Sequence, residues 1–408
     1  MSRPRTSTLR WLLCALLAVT ASGATAEESP SDWFKRLQEN RPFAALQALR
    51  QLPGQAQIAA QVGAFVGDET GGCALFGRSE LPEGADYRDA LDTIANMAAG
   101  RQIVMLNESH FRAAHRALLL RVIERLHPMG FDAIAVEALH GDAPDAPDAP
   151  DALRKAGIDV STGFYTHDPV FAAALRRAQA LGWTFVHYEA TGDGDRASRE
   201  TGQARNLAAW IARNPERRLL VYAGGSHISR IAEDGWMAAR FINATGIEPL
   251  TIQQAATACP QSETIWPIES KRAQVAFRGG APVKGAGDAD LMVLHPPAAV
   301  QTAKSVLGAT TLVCTPPVPR VTLLRAFALD DPPDAIPRDQ SIVPAGSRAT
   351  TLQLAPGPHR IEREHFDGRQ TLGHITALPR AIETCVDPMP TDPTPGRGAP
   401  LDAAGPGA

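Results

Sequence analysis

Ile103-Val104-Met105-Leu106-Asn107-Glu108-Ser109-His110 is the stretch that decides the fold. Four apolar residues in a row, two of them β-branched, read as a strand buried on both faces, because a half-exposed strand alternates. A carboxylate and an imidazole follow at its end. Phe111 to Pro128 then shows helical spacing, with Leu119, Val122, Ile123 and Leu126 on one face. Glu108 and His110 therefore fall on a strand-to-helix turn. In open α/β sheets, ligands bind outside the carboxyl ends of the strands, so chemistry is expected here.

The same period repeats downstream. The apolar run 133–136 ends in Glu137, and a helix over about 169–181 precedes the run 184–188, which ends in Glu189. A helix over about 198–213 precedes the run 219–222, which ends in Gly224-Gly225-Ser226-His227. A helix near 235–245 leads to a strand at 250–252, and 290–295 is one more strand. Upstream, residues 27–52 carry amphipathic helices interrupted at Pro42, and 53–85 reads as Gly-rich and irregular. Asp86 is expected to cap a helix that Gly100 stops. Strands alternating with helices predict an α/β fold, a mainly parallel sheet flanked by helices on both faces. After Pro316 the runs 321–324, 350–354 and 359–362 are strand-like among Pro and Gly, which predicts a small C-terminal β module. The expected organisation is a signal peptide (1–26), an N-terminal helical and irregular segment (27–85), the α/β domain (86–315), the β-rich module (316–386) and a disordered tail (387–408). The Asp-Ala-Pro triplets of 142–152 read as a solvated loop.

The chain of 408 residues is 44% hydrophobic and 21% charged, an ordinary soluble composition with room for one large domain and a smaller one. Arg3, Arg5 and Arg10 precede an apolar run from Trp11 to Val19, and Ala24-Thr25-Ala26 is a small-residue cleavage pattern. This predicts export to the periplasm or beyond; the run is too short to stay as an anchor, so no transmembrane segment is expected in the mature protein. Cleavage would remove three arginines and no acid from a chain of net charge −4. No basic stripe remains, which excludes nucleic acid as a partner. Four cysteines would be left, and the expected disulfides are Cys73–Cys259 and Cys314–Cys385, each bracketing one module.

Glu108, His110, Glu137, Glu189 and His227 all fall at carboxyl ends of expected parallel strands, and hence on one edge of the sheet. The segment 220–227 also echoes 103–110: apolar residues, two turn residues, then Ser-His and a helix. Two half-units contributing one histidine each to a shared cleft would produce that echo. Neutral imidazole serves as a base or as a metal ligand. A carboxyl at the end of an apolar strand is desolvated and suits a base, an acid or a ligand. Arg205 would supply positive charge to a carboxylate, a phosphate or a developing oxyanion, or simply hold Glu137 in place. The plainer alternatives are histidines that cap helices, and buried ion pairs of the two glutamates with Arg205 or Arg112. Ser109 and Ser226 stand in no Gly-x-Ser-x-Gly elbow, so a serine nucleophile is not expected.

With these motifs in their order, the sequence resembles the superfamily that groups erythromycin esterases, ChaN-type haem-binding lipoproteins and TraB/TIKI/GumN proteins. The shared pattern maps onto Asn107-Glu108-Ser109-His110, Val136-Glu137, Arg205-Asn206 and Gly224-Gly225-Ser226-His227, within about residues 86–255. Asn107 stands where the family carries glycine, and asparagine tolerates left-handed backbone better than most residues. The resemblance implies a catalytic set of Glu108, His110, Glu137, Arg205 and His227. It acts on an ester or amide in a small-molecule or peptide substrate, with or without a divalent metal (Zn, Mn or Fe) on His110, Glu137 and His227. The other implied function is a ChaN-like protein that holds haem or iron without catalysis.

Overall fold

The computed structural model describes residues 32–76, 81–137, 139, 157–190, 194–255 and 270–388. The signal-peptide segment, the Asp-Ala-Pro repeat, Cys259 and residues 389–408 lie outside them.

Four helices come first: α1 (Trp33–Gln38), α2 (Pro42–Leu49), α3 (Ala56–Phe65) and α4 (Thr70–Phe76). The last two correct the expectation of an irregular segment over 53–85. Glycine in α4 reads as a breaker in sequence, but here it serves close approach. A Cβ on Gly72 would lie 2.4 Å from the Phe111 ring, and one on Gly71 3.3 Å from Ala60. Between α3 and α4, the Glu69 carboxylate accepts the backbone N–H of Ala113 (2.9 Å). It thereby caps the helix that starts there, which its own Arg112 does not.

Asp86 begins a strand, β1 (Asp86–Asp89), instead of capping a helix. The cap is Asp89, whose carboxylate accepts from Leu91 N (2.9 Å) and Asp92 N (3.2 Å) at the start of α5 (Ala90–Ala98). The alternating part follows: β2 (Ile103–Glu108), α6 (Ala113–Leu126), β3 (Phe131–Val136), α7 (Pro169–Ala180), β4 (Thr184–Val186), α8 (Arg196–Arg213), β5 (Arg218–Gly224), α9 (Met237–Thr245) and β6 (Leu250–Ala255). Then come β7 (Gln274–Arg278), β8 (Ala281–Pro282) and β9 (Leu291–Leu294).

The strands form one mixed sheet in the order β1-β7-β9-β6-β2-β5-β3-β4, with β8 on β7. From β9 to β4 neighbours run parallel, whereas β7 is antiparallel to β9, β8 and β1. The expected mainly parallel sheet therefore carries an antiparallel edge. The turn Gly279-Gly280 is too short for a parallel crossover, which needs a dozen residues or more. Alternate residues of β2 enter two different cores. Val104 and Leu106 join Leu119, Ile123 and Phe171, while Ile103 and Met105 join Leu207, Ile211 and Phe241. Both faces are dry, which is why the run shows no alternation.

The β module holds two sheets. β10 (Ala309–Cys314), β13 (Ala349–Leu354) and β16 (Ile382–Cys385) form one; β11 (Thr322–Ala328), β12 (Asp339–Val343), β14 (Gly357–His365), β15 (Gly368–Ala377) and β17 (Asp387–Pro388) form the other. β10 precedes the expected boundary at Pro316. Cys314 and Cys385 face each other in register on β10 and β16 as free thiols, so the expected disulfide is not formed. Cys314 Sγ instead lies 3.6 Å from a Glu383 carboxylate oxygen. Cys73 is disulfide-bonded. No described helix is long and apolar enough to cross a membrane.

Candidate active site

β2 and β5 lie side by side with Glu108 opposite Gly224, so the two Ser-His ends open onto one space. The echo is offset by one residue: aligning the motifs would put Glu108 opposite Gly225. Asn107 is buried in the strand, not in a left-handed turn, and its side chain fastens the neighbouring strand ends. Its Oδ1 accepts from Gln254 N (2.6 Å) and its Nδ2 donates to Gly225 O (2.9 Å). Gln254 returns a bond from Nε2 to Asn107 O (2.6 Å), and its Oε1 lies 2.9 Å from His295 Nε2. A glycine could make none of the side-chain contacts.

Glu108 is buried. Arg116 donates to it from Nε (2.9 Å) and Nη2 (3.1 Å), Tyr222 donates its hydroxyl (2.8 Å), and His110 Nδ1 lies 2.7 Å away. Burial alone would raise the carboxyl pKa; the Arg116 and His110 interactions outweigh it and hold the group well below the usual range. Arg116 has no exposure, and it also donates to Asp168 (2.7 Å) and to His110 O (2.9 Å). Asp168 in turn caps α7 through Val170 N (2.6 Å) and Phe171 N (3.2 Å). The His110 ring stacks on Tyr165, with centroids 3.9 Å apart and planes at 9°.

The second histidine is held from both sides. His227 Nδ1 lies 2.9 Å from Glu200 Oε2, and its Nε2 lies 3.5 Å from Glu137 Oε1. Burial would lower the imidazole pKa, but the two carboxylates outweigh it and bring it up to about 9. Glu200 also accepts the N–H of Met237 (2.8 Å) at the start of α9. Glu137 accepts from Gly224 N (2.5 Å) and from Arg199 (2.7 Å). Burial would raise its pKa as well; the His227 contact reverses this and holds it far below the usual range. At Gly224, φ is an ordinary −72°. What it supplies is room: a Cβ there would lie 2.3 Å from His110 Nε2 and 2.9 Å from Glu137 Oε2.

Of the five residues expected, Glu108, His110, Glu137 and His227 come together and Arg205 does not. Arg205 is exposed, because Glu200, Gln203, Asn206 and Leu207 form the buried face of α8 and 205 falls outside it. Arg199 is the cation beside Glu137, and it bridges to Glu189 as well (3.0 Å). Arg112 pairs with Glu69 (3.5 Å), with neither site glutamate. Sequence reasoning missed Arg116, Tyr165, Arg199, Glu200 and Tyr222. One signal was present: Arg116 lies on the apolar stripe of α6 with Leu119, Leu120 and Ile123, where an arginine is rarely buried unless paired. Replacing Arg205 with Ala is expected to shift the urea midpoint by no more than about 0.5 kcal/mol of stability. Arg199→Ala is expected to cost about 1 kcal/mol, since the guanidinium is half-exposed.

His110, Glu137 and His227 were also expected to hold a metal. Among the described residues no three His, Cys, Asp or Glu side chains are arranged to do so. Both Glu137 oxygens are engaged, one by Gly224 N–H and one by a guanidinium standing where a metal cation would be wanted, so this donor set does not fit Zn, Mn or Fe. The cavity before the histidines measures about 510 Å³. Amides, hydroxyls, imidazoles and the carboxylates of Glu108 and Asp234 share its walls with apolar surface, of which Phe111, Ile228 and Trp236 are the large groups.

No family model matches the chain, and no curated protein does either. Several solved structures are similar to it at low level. The type III effector HopBA1 is 14% identical over 52% of this chain and 98% of its own, with a TM-score of 0.36. ChaN of Campylobacter jejuni, solved with cofacially bound haem, is 10% identical over 53% of this chain and 98% of its own, with a TM-score of 0.30. RRSP, a MARTX toxin effector domain from Vibrio vulnificus, is 16% identical over 48% of this chain and 40% of its own, with a TM-score of 0.27.

Proposed function

We propose that the chain is an exported hydrolase that cleaves an ester or amide in a small molecule or peptide, with His110 as general base and His227 as general acid. One observation carries this reading. Each imidazole has its Nδ1 on a carboxylate of its own, Glu108 at 2.7 Å and Glu200 at 2.9 Å, and both rings line one cavity. A proton on His110 Nδ1, shared with Glu108, leaves the lone pair on Nε2. His227, with its pKa near 9, is protonated at neutral pH.

The roles follow from that asymmetry. His110 Nε2 takes a proton from water as the water oxygen bonds to the carbonyl carbon. His227 Nε2–H, which lies 3.5 Å from Glu137 Oε1 in the free site, turns from that carboxylate to the oxyanion and then protonates the departing alkoxide or amine, after which both rings exchange protons with solvent. General acid and base contributions of this type amount to roughly 10²–10⁴-fold each. Arg116, His110 and Tyr222 keep Glu108 ionised, and Glu137 and Glu200 keep His227 charged.

The test uses the protein without residues 1–26 on p-nitrophenyl esters and peptide amides. Hydrolysis is expected to hold up to about pH 9 and to fall above it, as His227 loses its proton. Glu200→Gln is expected to move that alkaline limb to lower pH. The stability linkage has the same sign. The folded pKa of His227 is raised above 6.5, so its contribution, on the order of 3 kcal/mol, is complete below pH 6.5 and lost as pH rises through about 9. A haem absorbance band without turnover, or turnover unchanged in both His110→Ala and His227→Ala, would sink the proposal.

A further inference from the structure

The cavity has a wall that the proposed reaction does not use. Gln61 on α3 lines it, is only 8% exposed, and makes no hydrogen bond to any described residue. Three other amides around the cavity are engaged. Asn107 is bonded to Gln254 and Gly225, Gln254 to Asn107 and His295, and the Gln253 carbonyl oxygen to Ala286 N (3.0 Å). Gln57, one helical turn before Gln61 and therefore on the same face of α3, lines the cavity as well. The Gln61 amide atoms reach the solvent of the cavity, so the carboxamide is open to a ligand there.

We infer that Gln61, with Gln57 beside it, reads a peptide-type amide flanking the scissile bond of the substrate. This rests on the hydrolase reading above for the bond that is cut, though not for the binding itself. A carboxamide offers one acceptor and two donors in a plane. The Gln61 carboxamide can accept the N–H of that amide through Oε1 or donate to its C=O through Nε2. A simple alkyl ester satisfies neither, and sites built to hydrogen-bond a group discriminate strongly against analogues that lack it. A charged flank is not matched, because Gln57 and Gln61 are both neutral.

Two esters with one leaving group test this: p-nitrophenyl acetate and p-nitrophenyl N-acetylglycinate. The wild type is expected to favour the N-acetylglycinate in kcat/KM by at least tenfold. Gln61→Leu should lower kcat/KM on it about tenfold more than on the acetate, through KM. Gln61→Glu, which keeps the shape and the acceptor but not the donor, should lie between the two. Equal losses on both esters, or no wild-type preference, would overturn the inference. An independent arm titrates N-acetylglycinamide into wild type and Gln61→Leu by NMR, with thermal melts to establish that both are folded. Binding lost in the variant supports the role of Gln61 even if no ester is turned over, in which case the hydrolase reading alone fails. Equal binding by both proteins refutes the role of Gln61.

Discussion

Arg116→Met is expected to destabilise the protein by roughly 3–5 kcal/mol at neutral pH, the usual cost of removing one partner from a buried ion network. Methionine fills the space of the aliphatic stem, so the loss comes from charge and hydrogen bonding more than from a cavity. Two carboxylates, Glu108 and Asp168, lose their shared cation in a region where Glu108 is 3% and Asp168 1% exposed. The pH dependence distinguishes this cause from poor packing. In the wild type the pKa of Glu108 is depressed, so its contribution is present above about pH 4.5 and lost as pH falls below that. In the variant the carboxylates gain by taking up protons. The gap in urea-derived stability between the two proteins should therefore shrink below pH 4.5. A gap under about 1 kcal/mol at pH 7, or one that does not change with pH, would refute this account of the network.

Gly224→Ala is expected to lower kcat on any hydrolysed ester by at least 10³-fold, comparable to removing a principal catalytic group. A single methyl group has this effect because of its position. Its carbon would lie 2.3 Å from His110 Nε2 and 2.9 Å from Glu137 Oε2, far inside van der Waals contact. His110 is sandwiched against Tyr165 and anchored to Glu108, so its ring cannot withdraw without losing one of them. The backbone itself would accept alanine, since φ at 224 is −72°. The protein should therefore stay folded with a melting temperature within several degrees of wild type, and activity should fall far more than stability. Activity within tenfold of wild type would show that His110 does not work from the position described here.

The parts of this molecule that could be read from sequence are those fixed by local periodicity. The buried run of β2, the helix after it, and the placement of Glu108, His110, Glu137 and His227 at strand ends all follow from apolar patterning within windows of about a dozen residues. The parts that escaped depend on contacts between distant segments. α4 contains Thr70-Gly71-Gly72, which reads as loop until Phe111 and Ala60 are found lying against those glycines. Arg199 and Arg205 are equally plausible from sequence. Only the phase of α8 against the sheet decides which one meets Glu137, and that phase is set by Leu207 and Ile211 in the core. Glu200 could not be singled out in sequence because nothing within a helical turn announces His227, which is 27 positions away. The antiparallel edge was missed because β9 reads simply as a short apolar run, which carries no information about direction, and the short run of β7 was not singled out.

The position of β5 in the sheet also bears on how the chain is made. β2 and β3 follow each other closely in sequence, yet they never touch as sheet neighbours, because β5 lies between them. Until synthesis has passed Gly224, both strands wait with apolar faces, β2 with both hydrogen-bonding edges unsatisfied and β3 with one, a state prone to association with other chains. Fragments that stop before Arg218 are therefore expected to collapse or aggregate and not to fold as a smaller unit. β5 also carries Gly224 and leads into His227, so the cleft cannot assemble before β5 has entered between β2 and β3.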